Sequence, residues 1–371
     1  HAVIALAALG ASEARIEGYW EEYSKCTLYG YPLEKARVYA GPALTRETWT
    51  SAIGVKECFP PLHNFFTSEM NRLNSPEKLV QAYATELLPG MPGALTHGII
   101  HLGWAIDAGS AEMTAEGAAY LAAVSLSVRP ERFVRCDHAD ASPFASLLRA
   151  SEAFHAADGP AWVASVKADP KFDDSFHPEL KVAGFQREVA KVLAEGHPLV
   201  SEMPEWLYTH SAEDAMEQLY QCVTLLYLAS AGDQAGRGTG RAPGAAGAGP
   251  GNFLTLHLLT SLWAVEHVMR PLDASAQGLA LQCYWSMLLA IAITSNAGLP
   301  TRETLEVVLE KYPLAASSRA DATGSIDSSE WKSVIDAAIA EEEEHNQKLV
   351  YVLSQLHQSE GQGAVIRSAR F

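Results

Sequence analysis

The chain has 371 residues, 48% hydrophobic and 19% charged, with a formal net charge of -17. That composition holds ample material for a buried core and excludes disorder as the overall state. The acidic balance, without clusters of Lys and Arg, argues against nucleic acid as a partner, because neutralising phosphates needs such clusters.

The first residue is His1 and not Met, which reads as a fragment cut inside a helix, since residues 2–9 look like the end of a buried helix with Gly10 as its C-cap. The apolar opening lacks the charged start of a signal peptide. Residues 17–23 keep a helical spacing, residues 27–42 are rich in Tyr, Pro and Gly and read as a loop, and a helix restarts at 45–49. Helices follow over 61–73 and 75–88, the second opened by Ser75-Pro76-Glu77 as an N-cap with proline at N1. Leu88-Pro-Gly-Met-Pro-Gly93 ends it. The next helix carries His97 and His101 into Ala105, and residues 111–127 supply an Ala-rich helix.

From 129 to 177 the pattern is mixed. Helices return at 180–195 and 211–229, joined by a connection over 196–208. Residues 231–251 are dominated by Gly and Ala and read as a flexible insertion, too poor in apolar bulk to pack. Their Gly236-Arg-Gly-Thr-Gly240 has no preceding strand or following helix, so it is not a dinucleotide fingerprint. Residues 253–268 and 276–295 are apolar helices, and 328–356 form a final amphipathic helix or pair. No alternating strand pattern persists. The predicted fold is all-α, one multi-helix domain over 1–371.

No apolar run approaches the roughly 20 residues of a membrane span. The five cysteines are scattered and lack any CxxC pair, which favours a reduced, cytoplasmic setting. No GxSxG elbow, P-loop or HExxH motif is present.

Among thirteen histidines, those inside apolar helices matter most, because a buried imidazole needs a partner for each ring nitrogen. His97 and His101 stand one helical turn apart, with Cβ atoms about 6 Å apart, so both reach the same side. His257 lies between leucines, where a core histidine bonded to a backbone carbonyl is the plainer reading. His345 and Lys348 share a face just before an apolar run, and the acidic run 341–344 reads as a solvated helix face. Several helices each presenting histidine inward is how bundles build interior metal sites. His63 is a weaker candidate, at the start of a helix. Trp104, Tyr284 and Trp285 are candidates for an aromatic pocket, with ordinary core the commoner reading of such residues.

These segments resemble, in order along the chain, the questin oxidase-like family of oxidoreductases. The N-terminal His1 helix ending Leu9-Gly-Ala, the Gly93-Ala-Leu-Thr-His97-Gly-Ile-Ile-His101-Leu-Gly-Trp104 segment, His257-Leu-Leu-Thr-Ser261 and Glu344-His-Asn-Gln-Lys348 carry the likeness. The resemblance implies opening of anthraquinone-like polyketide rings by insertion of oxygen, with NADPH as a reductant. It implies a mononuclear iron held by His1, His97, His257, His345 and a carboxylated Lys348, with His101 as a supporting catalytic residue. A small aromatic substrate and molecular oxygen are then the partners, with no membrane or nucleic acid.

The upstream part of the first motif is missing, the 231–251 insertion precedes His257, and the last motif ends in Leu349-Val-Tyr-Val-Leu353. The competing readings are a helical ligand-binding protein without turnover, and a copper site at a processed His1.

Overall fold

The computed structural model describes residues 1–27, 41–136, 138–173, 181–230, 252–295, 298–312 and 328–358. Among them are α1 (Ala2–Ala8), α2 (Glu13–Lys25), α3 (Phe59–Leu73), α4 (Pro76–Leu87), α5 (His97–Asp107) and α6 (Ala111–Val124). The middle of the chain forms α7 (Pro143–Ala156), α8 (Gly159–Ala168), α9 (Phe185–Glu195), α10 (Pro198–Ser201), α11 (Trp206–Thr209) and α12 (Ala212–Ala229). The last third forms α13 (Phe253–Met269), α14 (Ala274–Thr294), α15 (Arg302–Lys311), α16 (Ser328–Ala340) and α17 (Glu344–Gln358). The only strand pairing among the described residues is a short parallel contact of Val134–Arg135 with Glu202–Met203. The protein is all-α, as its periodicity predicts. The Gly/Ala-rich stretch 231–251 and most of the loop expected at 27–42 lie outside the described residues.

Local chemistry explains where these helices begin. The hydroxyls of Ser12, Ser75, Ser110 and Ser142 accept the N–H groups of Arg15, Lys78, Met113 and Ala145, and Asp273 does the same for Ala276. Several boundaries differ from the sequence-based expectation. The mixed region 129–177 contains α7 and α8, the connection 196–208 contains α10 and α11, and α15 was not foreseen. In place of the helix expected at 45–49, residues 46–48 form a turn, followed by a short 3-10 segment at Trp49–Ala52. Leu9 is the cap of α1, and Gly10 follows it in the left-handed region at φ 87°.

Two compact units emerge: one drawn from His1–Lys35, Tyr220–Thr260 and Glu303–Phe371, the other from Ala36–Leu219 and Ser261–Arg302. In the first, Ala2 and Leu6 of α1 pack with Tyr19 of α2, flanked by Ile16, Tyr23 and Ile339. Arg15 fastens α2 to the end of α16, donating from Nε to the Ile339 carbonyl at 2.7 Å and from its terminal nitrogen to the Glu341 carbonyl at 2.7 Å. These bonds satisfy carbonyls that a helix end leaves open. Leu349, Val352 and Leu353 bury the inner face of α17.

The second unit is organised around α5, which lies on α6. Gly103 of α5 meets α13 so closely that a Cβ there would stand 2.3 Å from the Ala264 Cα. Only hydrogen fits at that crossing. Glu69 of α3 collects the Arg46 and Arg72 guanidinium groups and the Tyr83 hydroxyl of α4. Contrary to the sequence reading, one helix does reach membrane-spanning length: α14 has 21 residues and is apolar enough to cross a bilayer by length and composition. Its apolarity is used inside the protein, because 72% of its most apolar window is buried there.

Candidate metal centre

In the first unit the site is built at the start of α17. Glu343 precedes the helix, and its Oε1 accepts the backbone N–H of His345 at 3.1 Å, as an N-cap does. The same oxygen lies 2.6 Å from Nδ1 of His345. A carboxylate can only accept, so Nδ1 carries a proton, and in the neutral ring Nε2 carries the lone pair. The expectation that 341–344 form a solvated helix face is therefore corrected. Residues 341–343 separate α16 from α17, Glu341 accepts from the Asn346 amide at 2.9 Å, and the Tyr19 hydroxyl donates to Glu344, the first residue of α17, at 3.3 Å. Burial, with Glu344 beside it, pushes the Tyr19 phenol well above its ordinary range.

One turn into α17, Lys348 shares the His345 face and is only 4% exposed. Burial pushes its ammonium below the ordinary lysine range, and Glu344 and Glu343 oppose that only in part. A neutral amine is the form able to add carbon dioxide and become a carbamate.

His257, on α13, repeats the arrangement of His345. Its Nδ1 lies 2.7 Å from the Phe253 carbonyl, so the proton again sits on Nδ1. The Phe253 ring packs edge-on against both imidazoles, at 4.6 Å from His257 and 4.8 Å from His345. The two histidine rings are 4.9 Å apart, and each offers a nitrogen within 4.8 Å of the other's. Nε2 of His257, His345 and His1 is shielded from solvent in each case. His1 caps α1, which packs on α17, and its carbonyl accepts the Ala5 N–H at 2.9 Å.

These residues fit a metal ion by their chemistry. Imidazoles whose Nδ1–H is bound by a carbonyl or carboxylate are held in the tautomer that ligates through Nε2, and such partners also raise ligand basicity. Imidazole with a carboxylate-like group suits iron, while zinc, copper and nickel also accept imidazole.

His97 stands in the second unit, at the first position of α5. Its Nδ1 is 2.6 Å from the Ala94 carbonyl, which fixes the same tautomer. The backbone leading to it is unusual: Ala94, Leu95 and Thr96 have φ of 51°, 49° and 65°. Left-handed backbone costs about 1–2 kcal/mol per residue with a side chain, so this turn persists only because its surroundings impose it.

His101, one turn on, faces α6. Its Nε2 is 3.6 Å from Glu116 and its ring lies edge-on to Tyr120 at 6.2 Å. The His101 contact holds the Glu116 carboxyl below its ordinary range, and burial pushes the Tyr120 phenol up to about 12. His63 stacks on Phe59 at 5.9 Å. Trp104, Tyr284 and Trp285 are fully buried, and Trp285 packs edge-on against Trp206 at 5.5 Å. Sequence reasoning missed Glu343, although an acidic residue at the N-cap two positions before a histidine in the first turn of a helix is the signal that finds it.

The questin oxidase-like family model matches residues 1–353, and the chain belongs to that family. Membership makes it an oxidase-type enzyme acting on a small molecule. No curated protein matches the chain.

Proposed function

From that membership, we propose that the protein is an oxygenase that inserts oxygen into an aromatic polyketide such as an anthraquinone and opens its ring. The single observation that carries this is the pair His257 and His345, each with Nδ1–H fixed by an oxygen acceptor, beside the buried Lys348. The proposed ligands are His1, His97, His257, His345 and Lys348 as a carbamate, with iron as the metal and NADPH as the reductant. Iron, when bound, supplies the electrons that make triplet dioxygen reactive toward an electron-rich ring.

The chain's own residues do the rest. Phe253 covers the two imidazoles and keeps water from them. Glu343 and the Phe253 carbonyl hold the ring protons away from the metal side. His101, paired with Glu116, is the proposed proton carrier.

Purified protein is expected to hold one iron per chain, and His257→Ala and Lys348→Ala to lose it. Full metal retention in both variants sinks the site. Incubation with hydroxyanthraquinones under labelled oxygen, with and without NADPH, should give a labelled ring-opened product. Tight binding of the aromatic with no product would instead favour a binding protein without turnover.

A further inference from the structure

The three left-handed residues ahead of His97 have to be held by something outside their own sequence. The side-chain amide of Gln186, the second residue of α9, faces the N–H groups of Ala94 and Leu95; two donors meeting one amide assign its near atom as the oxygen, which accepts from both. Just before the turn, Gly93 lies against the end of α6, where a Cβ would stand 1.9 Å from the Val124 carbonyl oxygen. Thr96 is fully buried. The turn is confined on all these sides.

The Ala94–Leu95 peptide is thereby bound at both ends. Its N–H, from Leu95, donates to Gln186, and its carbonyl, from Ala94, accepts Nδ1–H of His97 at 2.6 Å. Donating an N–H polarises a peptide and makes its carbonyl a better acceptor, so the two bonds strengthen each other. We infer that Gln186 is the positioning residue for His97: it locks the left-handed turn and, through one peptide, fixes the tautomer and direction of the imidazole. The consequence for metal affinity rests on the proposal that His97 is a ligand. The effect on the ring itself does not.

The test uses the full chain with nitrogen-labelled histidine, the His97 signal being assigned by its loss in His97→Asn. The parent should show the Nδ1–H tautomer. Gln186→Leu, similar in size but without an acceptor, should average the two tautomers and weaken cobalt(II) binding about 10–100-fold in chelator competition. Gln186→Glu keeps the oxygen and should restore both readouts, with the Ala94 and Leu95 amide protons moved downfield by the charged acceptor.

A folded Gln186→Leu variant with the parent's tautomer and affinity overturns the inference. If that variant does not fold, unchanged amide shifts in Gln186→Glu overturn it as well. A parent that binds neither cobalt nor iron defeats the metal reading alone, because the tautomer measurement still decides the role of Gln186.

Discussion

Glu343 uses one carboxylate oxygen for two purposes, capping α17 and taking the ring proton of His345. Removing its charge should weaken both. Glu343→Gln is expected to lower metal affinity about tenfold or more, the range seen when a partner of a ligating histidine is changed. Chelator competition measures it, and an unchanged affinity would show that the His345 tautomer is set elsewhere. At this scale the sequence was legible where chemistry follows spacing. His345 and Lys348 share a helix face by their separation of three, and His257 stands out between leucines. Gln186 was not legible, because its importance lies in hydrogen bonds to a distant segment, and Glu343 was legible only as one member of an acidic run.

Helices are fastened to one another in the second unit by a few unforgiving contacts. At the crossing of α5 and α13, Gly103→Ala would drive a methyl group into the Ala264 backbone, so a loss of about 1–3 kcal/mol or more is expected. A lower urea midpoint at unchanged slope would register it. Between α3 and α4 the contact is electrostatic. The Arg72 guanidinium, assisted by Tyr83 and Arg46, holds the Glu69 carboxyl down to about 2 from an ordinary 4.5. A depressed carboxyl stabilises the fold above its unfolded value and loses that contribution as pH falls from about 4.5 through about 2. The full effect is at most about 3 kcal/mol, reduced by the solvent around the two arginines. Glu69→Gln should therefore destabilise at pH 7, and its difference from the parent should shrink steadily in denaturation at lower pH. An undiminished gap would assign the effect to packing.

Helix existence was well read where one face was apolar over several turns. The helix α7 was missed for a different reason. Ser142-Pro143 carries the same cap and N1 proline as Ser75-Pro76, but the surrounding loop residues blurred its period when 129–177 was read as one stretch.

For the whole molecule, the all-α class was the easiest property to read, since it depends on a period repeated along the chain. The burial of α14 was harder: length and apolarity describe a core helix and a membrane helix alike, and only packing separates them. If the proposed centre binds metal only in the folded chain, saturating iron or cobalt should raise thermal stability. At a hundredfold excess over the dissociation constant the gain is about 2.7 kcal/mol. Lys348→Ala should melt at the same temperature with metal or with chelator.

The left-handed turn before His97 also bears on the order in which the protein assembles. Ala94, Leu95 and Thr96 favour other conformations in an unfolded chain, so the local bonds of this turn, from the Thr96 N–H to Pro92 and the His97 N–H to Ala94, form against that preference. Its outside support comes from α9, a distant part of the sequence, and closing a contact of that separation costs chain entropy before it stabilises anything. His97 is thus expected to reach its working direction after the surrounding helices are in place. In hydrogen exchange, the Ala94 and Leu95 amides should open together with the first turn of α9, and more readily than the middle of α5.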